Sequence, residues 1–169
     1  MKKQKTARFL VLSSVIAAAY VVLTYISASL GLAYGGVQFR VSEALNILAA
    51  FTPAALPGLT IGCFICNISS PFPLDMLFGT LATLVSAVTI FFISKSFKKA
   101  VPYLSVLPPS VFNAILIGLQ ITFFTDSNAS LTAFLLSALS VFIGEFAVCS
   151  ILGIPLYYTL KSNKNKLFN

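Results

Sequence analysis

Apolar residues fall in long unbroken blocks along this chain, with no strand-like alternation. The blocks run from about Phe9 to Leu30, Val41 to Ile68, Asp75 to Ser94, Leu104 to Phe124 and Leu131 to Leu160. Crossing a hydrocarbon core takes about 20 apolar residues in a helix, so each block predicts membrane-spanning helix. Between them lie a Gly-rich stretch from Gly31 to Ser42, the loop Ser69-Ser70-Pro71-Phe72-Pro73, a lysine patch from Lys95 to Lys99, and the turn Asp126-Ser127-Asn128. The second block is broken by Thr52-Pro53 and Pro57-Gly58. Proline removes a backbone donor and disfavours helix at the residue before it, so this block reads as a hairpin of two short helices broken at Pro53 and Pro57.

Charge placement supports the same reading. Of the 169 residues, 58% are hydrophobic and 9% charged, with a mean hydropathy of +0.97. Soluble domains carry about 25% charged residues, so a soluble enzyme or secreted domain is excluded and residues 1–169 form one integral membrane domain. The net charge of +7 could suggest nucleic acid, but ten of the eleven cations sit in three patches beside apolar blocks. Lys2, Lys3, Lys5 and Arg8 form a basic tail over 1–8, Lys95, Lys98 and Lys99 a middle patch, and Lys161, Lys164 and Lys166 a tail over 161–169. The positive-inside rule places all three in the cytoplasm. One crossing by the broken block would put the middle patch outside. A hairpin keeps all three inside, which gives an all-α protein of six transmembrane helices with both termini cytoplasmic. The basic start also resembles a signal peptide, but the run from Phe9 to Leu30 exceeds a usual signal core and is read as a retained span.

Candidate chemistry is sparse. Cys63 and Cys66 make a lone C-x-x-C inside an apolar block, and with no His in the chain they read as small hydrophobes without metal. Nothing resembles a phosphate-binding G-x-x-x-x-G-K-[ST] loop or a nucleophile–base set, so no catalytic residue and no cofactor are expected. The polar residues at membrane level are Arg40, Glu43, Asn46, Asn67, Asp75, Thr80, Thr83, Asn113, Gln120 and Glu145. In the six-span topology they lie between the membrane centre and the outer surface. Most have a structural alternative: an Arg40–Glu43 ion pair, Asp75 as a helix cap, Thr80 and Thr83 bonded back to their own helix, and Asn113 and Gln120 as interhelical bonds. Glu145, midway through the last span, demands a cavity, a partner or a ligand. An outward cup of carboxylates and amides suits a small, donor-rich, planar cargo, because a carboxylate accepts two parallel N–H bonds from an amidine-like edge.

Three ordered segments carry a family resemblance: Val37-Gln38-Phe39-Arg40-Val41-Ser42-Glu43-Ala44-Leu45, Gly58 through Asn67, and Leu74 through Leu84. They resemble the QueT family of substrate-binding S components of energy-coupling factor (ECF) transporters, assigned to queuosine precursors. The resemblance implies an S-component-like six-helix bundle in the bacterial plasma membrane, surrounded by lipid. Such a protein takes up a 7-deazaguanine (aminomethyl, cyano or queuine) and works with a coupling protein and two ATPases. It also implies that the loop over 31–42 lids the site. S components often carry Ala-x-x-x-Ala on the first helix for the coupling protein; here the nearest pairs are Ser13…Ala17 and Ser14…Ala18, which packing within the bundle explains equally. For the polar core of the site we select Glu43, Asn67, Asp75 and Glu145. Arg40, Asn113 and Tyr34 come second, with Tyr34 a stacking lid. The rival readings are an S component for another vitamin or purine and a self-sufficient proton-coupled transporter.

Overall fold

The computed structural model describes residues 2–34, 38–125 and 129–163. Among these residues every regular element is helical. The first helix, α1 (Lys2–Ser29), contains no Gly or Pro and runs through the basic tail into the apolar block. It stops at Gly31, whose φ of 73° lies in the left-handed region that glycine enters without strain. There the amides of Gly31 and Leu32 bond back to the carbonyls of Ala28 and Ser27, the pairing of a Schellman cap.

The broken block is indeed two short helices. The first, Val41–Ala50, is a 3-10 helix, and the second is α2 (Ala55–Ile68). At about 2.0 Å of rise per residue, ten 3-10 residues reach about 20 Å, where an α-helix would reach about 15 Å. Three residues per turn also stack Glu43, Asn46 and Ala49 on one buried face. Only one of the two prolines makes the break. Pro53 lies in it, whereas Pro57 sits in the first turn of α2, where the missing N–H removes no intrahelical bond.

After α2 come α3 (Asp75–Ser96), the single turn α4 (Val101–Leu104) and α5 (Leu107–Gln120), which runs on as a π-helical turn, Ile121–Thr125. The last block is α6 (Leu131–Val148), a π-helical turn at Cys149–Gly153, and α7 (Ile154–Ser162). Pro155 lies just past that turn and cannot continue an i→i−4 ladder, which accounts for the local widening. Among the described residues four stretches are long and apolar enough to cross a membrane: Lys3–Ser29, Asp75–Ser96, Val101–Phe124 and Leu131–Ser162.

Neighbouring helices pack in sequence, α1 on α2, α2 on α3, α3 on α5 and α5 on α6. The 3-10 helix touches α1, α2, α3, α6 and α7 and so lies along the axis of the bundle. The burial pattern is inverted relative to a soluble protein. Leu10, Val15, Leu77, Phe92, Leu136 and Ile151 point outward, while Arg40, Glu43, Asp75 and Glu145 are buried. This arrangement suits a surround of lipid tails.

Close approach of α1 and α2 rests on two glycines one turn apart. A Cβ on Gly58 would stand 2.7 Å from the Ser13 carbonyl oxygen, and one on Gly62 2.9 Å from that of Ala17. The Ser13 hydroxyl completes the contact by donating to the Ala54 carbonyl at 3.0 Å. Ser13 and Ala17 are thus buried between helices, whereas Ser14 and Ala18 are exposed. Lys98, Lys99 and Lys161 line one cavity with Phe51, so the middle patch and the start of the last share one end of the bundle. Lys164 and Lys166 lie outside the described residues. Gly58→Val should overpack the α1–α2 contact and cost about 1–3 kcal/mol, read as a lowered unfolding midpoint in detergent.

Candidate functional site

The 3-10 helix delivers Glu43 to the bundle axis, where its carboxylate collects donors from four elements. Oε1 accepts from the Tyr20 hydroxyl of α1 and from the Thr83 hydroxyl of α3 at 3.4 Å. Oε2 accepts from the amides of Asn46 at 2.6 Å and Asn113, on α5, at 3.4 Å. Asn46 reaches it because residues three apart eclipse on a 3-10 helix. Glu43 is fully buried and its acceptor sites are occupied.

A second cluster forms one end of the same polar core. Asp75 begins α3, but its side chain caps nothing. Oδ1 accepts from the Gln120 amide and Oδ2 from the Ser70 hydroxyl, both at 2.5 Å, and Arg40 Nη2 stands 3.6 Å from Oδ2. The Asn67 amide donates to the Asp75 backbone carbonyl at 2.9 Å and to Cys63 Sγ at 3.3 Å. Cys63 Sγ also accepts from Thr83 at 3.2 Å, which links the two clusters. Gly79 makes room for this, since a Cβ there would meet Asn67 Nδ2 at 2.7 Å.

Arg40 precedes the 3-10 helix in extended conformation and therefore does not pair with Glu43 three residues on. Its Nε donates to the Ala33 carbonyl at 2.8 Å, and its guanidinium lies 5.1 Å from the centre of the Tyr34 ring. The Tyr34 hydroxyl donates to the Cys66 carbonyl at 2.9 Å. Burial pushes this phenol up to about 12, so it stays protonated as that bond requires. The chain also crosses α6 closely: a Cβ on Gly144 would stand 2.2 Å from the Gln38 carbonyl oxygen. Ala33, Tyr34, Gln38 and Arg40 thus tie both ends of the loop over the core, while Gly35, Gly36 and Val37 lie outside the described residues.

The structure thereby brings Arg40, Glu43, Asn67, Asp75, Asn113 and Tyr34 into one bonded network, with Glu145 beside it. Several local alternatives are set aside. Asp75 is not a cap, and Thr83 bonds Glu43 and Cys63 instead of its own helix. The Thr80 hydroxyl is buried without a partner. Asn113 and Gln120 do make interhelical bonds. Asp126 falls outside the described residues. Tyr20 was not anticipated, although Tyr20, Thr24 and Ser27 recur at helical spacing along α1 and all are buried. That polar stripe inside an apolar span is the signal that points to it.

Glu145 differs from the other acids. It is fully buried on α6, near enough to Arg40 and Glu43 to feel their charges, yet neither of its carboxylate oxygens has a hydrogen-bond partner. The carbonyl oxygens of Asn46, Asn67 and Gln120 are likewise buried and unanswered. Buried polar atoms are nearly always bonded, so these acceptors stand out from the rest of the core.

The sequence profile of the QueT transporter family matches residues 10–162. The chain belongs to the QueT transporter family. A curated relative, the queuosine precursor transporter QueT of Lactococcus lactis subsp. cremoris (strain MG1363), is 42% identical over 85 residues. That match spans about half of this chain and about half of the relative's length. No solved structure matches the chain. Membership accounts for the arrangement: a multi-pass membrane protein of a transporter family, not an enzyme, with its polar residues gathered inside an apolar shell.

Two substitutions should separate the clusters. Asp75→Asn leaves Arg40 buried without its counter-charge, costing about 3–5 kcal/mol. Tyr20→Phe removes one of four donors to Glu43, costing about 1–2 kcal/mol. Denaturant unfolding in detergent should rank them in that order.

Proposed function

We propose that this chain is the substrate-capturing S component of an ECF-type transporter. It takes a queuosine precursor of the 7-deazaguanine class from outside a bacterial plasma membrane. The observation that carries this reading is the row of unanswered acceptors on Glu145, Asn67 and Gln120 within the sealed polar core of a QueT family member. A deazaguanine presents N–H donors along its pyrimidine and pyrrole edges, and such acceptors reject analogues lacking those donors. Its carbonyl oxygen calls for a donor, a role that suits Arg40 or Asn113. Glu43 and Asp75 already hold several donors each, so they shape the site and keep those donors in place. Tyr34 and the loop over 31–42 act as the lid, with Arg40 tying it to Asp75.

Energy for uptake then comes from elsewhere, since the chain has no phosphate-binding loop. One coupling protein and two ATPases supply it, with all three basic patches and both termini in the cytoplasm. An apolar groove of about 600 Å³ between α1 and α2, lined by Ser13, Ser14, Ala17 and Ala18 among others, is the face assigned to the coupling protein. Exposed Ser14 and Ala18 allow a partner helix to come close there.

Purified protein should bind at least one of queuine, aminomethyl-deazaguanine and cyano-deazaguanine with submicromolar affinity, and neither riboflavin nor thiamine. Failure to bind any deazaguanine sinks the cargo assignment. Uptake that survives without an ATPase partner and collapses with the proton gradient identifies a secondary transporter instead.

A further inference from the structure

Resting on that reading, we infer that Glu145 is the counter-ion for a protonated amine on the cargo, so the site selects a cationic deazaguanine over a neutral one. The orientation of the surrounding amides is the first support. The NH2 groups of Asn46, Asn67 and Gln120 face the Glu43 carboxylate, the Asp75 carbonyl and the Asp75 carboxylate. None of these acceptors carries a proton to donate when ionised, so turning any of the amides would set oxygen against oxygen. Their carbonyl oxygens are therefore held free, and they add to the two free oxygens of Glu145. Among the described residues six of the eleven buried unanswered atoms are acceptor-only oxygens and four are hydroxyls, while Arg40 Nη2 alone is donor-only.

Charge is the second support. The buried carboxylates among the described residues are Glu43, Asp75 and Glu145, against the single buried cation Arg40. Arg40 donates to the Ala33 carbonyl through Nε and is ion-paired with Asp75 at 3.6 Å, with Nη2 making no hydrogen bond. Glu43 has its four donors, and Asp75 has Ser70, Gln120 and Arg40. Glu145 is left with neither a donor nor a committed counter-charge, inside a helix of the apolar bundle. A neutral ligand would answer its hydrogen-bonding need and leave the charge imbalance. An ammonium group answers both, offering three N–H donors and a positive charge. No group of three or more His, Cys, Asp or Glu able to hold a metal ion occurs among the described residues, which favours a ligand-borne cation.

Calorimetric titration of the protein in detergent with 7-aminomethyl-, 7-cyano- and 7-methyl-deazaguanine tests this. The three probes share the ring and differ in charge at one substituent. The aminomethyl form should bind at least about thirtyfold more tightly than either neutral form. In Glu145→Gln that advantage should shrink to less than about fivefold, because the glutamine keeps an acceptor but loses the charge. A thermal melt establishes that the variant is folded. If it is not, the wild-type comparison of the three probes decides alone. Equal affinities for charged and neutral probes overturn the role of Glu145 and leave the deazaguanine reading standing. An undiminished preference in folded Glu145→Gln overturns it as well. Binding of none of the three sinks both.

Discussion

A carboxylate carried into an apolar bundle must be answered by donors or by a counter-charge, and Glu43 meets that demand by drawing on four separate elements. Tyr20 comes from α1, Asn46 from its own 3-10 helix, Thr83 from α3 and Asn113 from α5. Each donor is useful only if its helix stands at the right height and rotation. One buried charge therefore couples the placement of most of the bundle. The 3-10 geometry belongs to the same constraint, since it brings Asn46 directly over Glu43 and extends a ten-residue segment far enough to present both.

Around this hub the polar groups divide by how completely they are answered. Glu43 and Asp75 are surrounded by donors and hold the architecture. Glu145 and the side-chain carbonyls of Asn46, Asn67 and Gln120 are unanswered, and such a deficit is costly unless something else fills it. Small residues serve both ends of this division. Gly58 and Gly62 let α1 approach α2, Gly79 admits the Asn67 amide, and Gly144 lets the chain at Gln38 lie against α6. Loop, network and helix packing are thus joined by contacts in which an extra methyl group would collide.

Legibility in the sequence differed between elements for identifiable reasons. Long apolar blocks announce their helices because lipid rewards continuous hydrophobicity, and the break near Pro53 announces two short helices in place of one. The same rule misplaced Pro57, because proline disrupts a helix interior and is harmless in a first turn. Membrane-level charge singled out Arg40, Glu43, Asp75 and Glu145 correctly as groups needing an explanation. Partners were another matter. A spacing of three suggested Arg40 with Glu43, but Arg40 precedes the helix and reaches across to Asp75. Tyr20 escaped notice because a tyrosine in an apolar span is unremarkable until its hydroxyl is seen against a carboxylate.

Composition and block pattern alone determined that this is an all-helical membrane protein whose few internal charges converge on a site. They did so because the cost of burying charge in lipid is large and independent of fold detail. Which acid is satisfied and which is left open was decided only by the tertiary structure. Hydrogen bonds depend on sub-ångström placement of groups brought from distant parts of the chain, such as Tyr20, Thr83 and Asn113 around Glu43. No spacing along the sequence encodes that placement. Glu43 and Glu145 are the same residue in the same apolar setting, and only the packing of helices around them surrounds one with donors and leaves the other without a hydrogen bond.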